Sequence, residues 1–81
     1  MSIFTIYDQP KDYPDAIVVR GWYLDEQTNE FVPDQGAAIF KKSLGRDGDA
    51  LRLARAWCRQ RGLICINRNE DDDPVIVESW I

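Results

Sequence analysis

Histidine is missing from this chain altogether. Its absence removes the side chain most used as a general base near neutral pH and the commonest zinc ligand. Ser-His-Asp and Cys-His nucleophile arrangements are excluded with it. Cysteine is scarce: Cys58 and Cys65 would need two further thiolate or imidazole ligands to hold zinc. They read instead as two small buried apolar residues in a reducing compartment, with no need of a disulfide. Glycine-rich phosphate loops are also absent, because Gly45, Gly48 and their neighbours match neither the Walker A pattern nor the dinucleotide fingerprint. No apolar run approaches the roughly 20 residues needed to cross a bilayer. The opening Met1-Ser2-Ile3-Phe4-Thr5 lacks a basic n-region and a long h-region. The expectation is a cytoplasmic, non-enzymatic protein without metal, cofactor or membrane contact.

What is present suits one small domain. The chain has 81 residues, 44% of them hydrophobic, with three each of Trp, Tyr and Phe. Disorder needs low hydrophobicity joined to high charge, and this composition does not fit it. A domain of this length buries roughly 60–65% of the surface its unfolded chain exposes, leaving a stability of a few kcal/mol. The net charge of -4 conceals a segregation: residues 1–40 carry -5, residues 41–68 carry +6, and residues 69–81 carry -5. Such blocks make a dipolar surface unless folding interleaves them.

Along the chain, Ile3–Tyr7 is β-branched and aromatic and reads as a strand. Two prolines, Pro10 and Pro14, set an ordered turn after it. Ala16–Leu24 is the strongest strand signal, apolar from its start as a central strand is, with Gly21 marking a bulge. A polar hairpin tip from Asp25 to Asn29 leads to a short strand, Glu30–Val32, which Pro33 stops. Gly36–Leu44 reads as a further strand. Asp47 or Asp49 should cap one helix, Asp49–Arg61, which Gly62 ends. At 3.6 residues per turn Ala50, Leu53, Ala54 and Trp57 share its apolar face, opposite Arg52, Arg55 and Arg59. Leu63–Ile66 and Pro74–Ile81 close the fold across a polar turn, Asn67–Asp73. The fold class expected is α+β: a small, mostly antiparallel sheet of four to five strands with a single helix on one face.

Three groups can carry recognition. Arginine forks at Arg52, Arg55 and Arg59 pair bidentately with phosphate or carboxylate when a helix shows them as a row. Trp22 and Tyr23, if exposed, are natural interface anchors. The acids Asp25 and Glu26, and the run Glu70, Asp71, Asp72 and Asp73, offer negative patches to a basic partner. The run lacks the alternating ligands, sixth-place glycine and terminal glutamate of an EF-hand. Acidic flanks on both sides of the arginines would repel phosphates, so direct nucleic-acid binding is not expected.

The segment Ile6-Tyr7-Asp8-Gln9-Pro10-Lys11-Asp12-Tyr13-Pro14-Asp15, continuing through Val18-Val19-Arg20-Gly21-Trp22, resembles the start of a group of short bacterial and prophage proteins. Asp72-Asp73-Pro74-Val75-Ile76-Val77-Glu78-Ser79-Trp80-Ile81 resembles their end, while the helical middle departs from them. That group implies no activity. In size, charge segregation and sheet-plus-helix layout the chain also resembles anti-CRISPR proteins in type, without a shared motif. This resemblance implies a small inhibitor from a phage or mobile element. It would bind a host defence nucleoprotein, a CRISPR surveillance complex foremost, and its acids would stand in for phosphates. The alternative is a housekeeping or antitoxin-like domain that binds nucleic acid or an acidic peptide through its arginine helix.

Overall fold

The β-branched runs at both ends of the chain pair with one another in a single antiparallel sheet. The computed structural model describes residues 2–33, 38–42, 49–66 and 74–81. Its strands are β1 (Ser2–Asp8), β2 (Ala16–Asp25), β3 (Glu30–Pro33), β4 (Ala38–Lys41), β5 (Cys65–Ile66) and β6 (Ile76–Trp80), with one helix, α1 (Asp49–Gln60). The strand order is β3-β2-β1-β6-β5, and β4 pairs with β2 on the same side as β3. Along its edge away from β1, the ten-residue β2 thus serves two partners: Trp22–Asp25 faces β3 and Ala16–Val19 faces β4. The result is the small α+β architecture expected from the sequence, with six strands because the segment after the β2–β3 hairpin returns to the same strand edge.

Register decides what each strand buries. β1 and β2 pair without interruption from Ser2–Tyr23 to Asp8–Ile17. Side chains of a strand alternate between faces, so Phe4, Ile6, Ile17 and Val19 share one face. There they meet Ala50, Ala54 and Cys58 of α1, together with Trp80. Burying these apolar groups is the main stabilising term of the domain. Gly62 ends the helix in the left-handed region, at φ 74, as a C-terminal glycine does.

Three sequence expectations need correction. Gly21 marks no bulge, since it stays in register opposite Phe4. The irregularity lies between β1 and β6 instead: Ile6 faces Glu78 but Tyr7 faces Ile76. The extra residue, Val77, packs against the core beside Glu78, which is how a bulge re-aims side chains. The helix is also turned by about 50° from the phase expected at 100° per residue. Its buried stripe is Ala50, Ala54 and Cys58, while Leu53 is 53% exposed and Trp57 only half-buried. Small side chains line this stripe, so the helix can lie close to the sheet. Finally, Cys65 is exposed, and only Cys58 is buried. An Asp47 cap and the Asn67–Asp73 turn lie outside the described residues.

Nothing lies within 4 Å of a Cβ built on Gly62, so a substitution there meets only conformational strain. Gly62→Ala is expected to cost about 1–2 kcal/mol, and Gly62→Asn less, because asparagine tolerates the left-handed region. Urea unfolding monitored by tryptophan fluorescence measures both.

Candidate functional site

The β2–β3 hairpin gathers four of the residues singled out from sequence. Asp25 caps its turn: the Gln27 amide donates to Asp25 Oδ1 at 2.9 Å. The Asn29 amide closes the turn on the Asp25 carbonyl at 2.7 Å, with Asn29 at φ 59. Asp25 and Glu30 sit directly opposite one another, and Glu26 is exposed at the tip. None of these three acids forms an ion pair among the described residues. The pairing of β1 with β2 starts at Ser2–Tyr23, so the hairpin runs on past the start of β1. Trp22 and Tyr23 point to opposite faces of β2. Tyr23 is 46% exposed and Trp22 half-buried. Glu30 and the exposed Phe31 complete the hairpin; sequence reading took them only as strand residues.

Like charges directly across a strand pair weaken it. The Asp25–Glu30 pair, with Glu26 beside it, therefore costs the fold stability and receives no internal cation among the described residues. An arrangement that weakens the fold points to use outside it.

The arginine row is spent differently. Arg52 holds Asp49 one turn back at 3.0 Å, on the exposed surface. Arg55 leaves the row to grip Glu78. Its Nε donates to both carboxylate oxygens at 3.2 Å and its Nη2 to Oε1 at 2.8 Å. Trp80 Nε1 donates to Glu78 Oε2 at 2.8 Å. Arg59 lies over the Trp80 ring at 5.8 Å and Arg61 over Trp57 at 3.4 Å. Phe4 meets Trp57 edge to face at 5.7 Å. The positive face is thus a set of arginines seated on indoles and tied to the sheet. Sequence reading missed Glu78 and Arg61, although the Glu-x-Trp spacing on β6 places both Glu78 and Trp80 on the core face.

Glu78 is a buried carboxylate, and burial alone would raise its pKa. The Arg55 and Trp80 hydrogen bonds outweigh burial and hold it below the ordinary 4.5. Burial, with the Glu78 charge nearby, pushes the Cys58 thiol up to about 11. Cys65 is also raised, first by local desolvation and then by Glu78. Neither thiol has the lowered pKa of a reactive nucleophile. Among the described residues no three acids or thiols are grouped to hold a metal ion. Glu70, Asp71, Asp72 and Asp73 lie outside the described residues.

No family model matches the chain, and no similar curated protein or solved structure is found.

A carboxylate whose folded pKa is lowered adds stability that is complete above its unfolded value and fades as pH falls through the folded one. Stability is therefore expected to drop on acidification below about pH 4.5. Glu78→Gln should flatten that drop and cost about 1–3 kcal/mol at neutral pH. Urea titrations from pH 3 to pH 7, roughly the range of carboxylate ionisation, measure both effects. Thiol labelling with a disulfide reagent gives an independent check on packing: Cys65 should react in the folded protein and Cys58 only on unfolding.

Proposed function

We propose that this chain is a non-enzymatic interaction domain whose acidic β2–β3 hairpin enters a basic, nucleic-acid-binding groove of a partner protein and keeps nucleic acid out. The observation that carries the reading is the trio Asp25, Glu26 and Glu30. These acids sit on a protruding hairpin, without an internal cation among the described residues, beside the exposed ring of Tyr23. Carboxylates in such a position compete for the arginines and lysines that neutralise phosphates. Tyr23 adds the rigid aromatic contact typical of interface anchors.

The finer form of the proposal is an anti-CRISPR-like inhibitor from a phage or mobile element, acting in the host cytoplasm on a CRISPR surveillance complex or a similar defence nucleoprotein. Its support is the resemblance in type and the acidic ends of the chain. Asp71, Asp72 and Asp73 join the proposal through their charge alone. Against the alternative, an arginine helix that itself binds nucleic acid, stands the loss of Arg55 to Glu78. What remains is Arg52 beside its own Asp49, and Arg59 and Arg61 over indoles.

The test is a filter-binding assay of a purified CRISPR surveillance complex on its target DNA, with the protein as competitor. The wild type is expected to block DNA binding. The double variant Glu26→Lys/Glu30→Lys is expected to be weaker by at least about tenfold, as loss of paired charges implies. Equal inhibition by the variant overturns the role of the hairpin. A salt-sensitive gel shift of the protein alone on DNA or RNA would favour the arginine-helix alternative.

A further inference from the structure

We draw no further inference here: the strongest candidate, the apolar sheet face away from α1 that exposes Phe31, Ile64 and Ile81, carries nothing because nothing in the structure shows what covers it.

Discussion

A buried carboxylate holds the helix to the sheet. Glu78 sits on β6 facing the core, where an unpaired charge would destabilise the fold severely. Arg55 reaches it from α1 and Trp80 from two residues along its own strand. Satisfying Glu78 fixes the rotation of the helix, and that rotation places Cys58 in the core. It also removes the middle arginine from the surface row. Core packing and surface chemistry are therefore coupled through one side chain.

Strand positions were legible because β-branched and aromatic runs bounded by Pro and Asp have few alternatives. The apolar start of β2 and the Gly62 stop were read correctly for the same reason. Helix phase was harder. Leu53 and Trp57 look more core-like than Cys58, and only the long-range bond from Arg55 to Glu78 decides between two neighbouring phases. The bulge at Val77 was illegible, since Pro74–Ile81 is uniformly strand-like and its irregularity arises from pairing with a strand some seventy residues away. At the hairpin, Asp25 and Glu26 stood out by charge. That Glu30 faces Asp25 is a matter of register, which the composition does not carry.

The segregated charge blocks are partly interleaved by folding. Of the four ion pairs among the described residues, two join different blocks: Lys42 with Asp8, and Arg55 with Glu78. Arg20–Asp12 and Arg52–Asp49 stay within their own. The net effect is selective. Acids near the core and at the base of the sheet find cations, while those at the β2–β3 tip do not. Exposed ion pairs contribute little to stability, so this sorting matters more for what the surface presents than for how firmly the chain folds.

β1 lies at the centre of the sheet, with β2 on one side and β6 on the other. Its second neighbour is therefore made last among the strands. Contacts between such distant segments raise the contact order and slow folding, because the intervening loop must close before the pairing returns any energy. During synthesis the first hairpin waits with one edge of β1 open and Ile6 uncovered on one flank. An exposed apolar edge of this kind invites association with other nascent chains. The central place of β1 thus makes the interval before β6 emerges the period in which this small domain is most vulnerable.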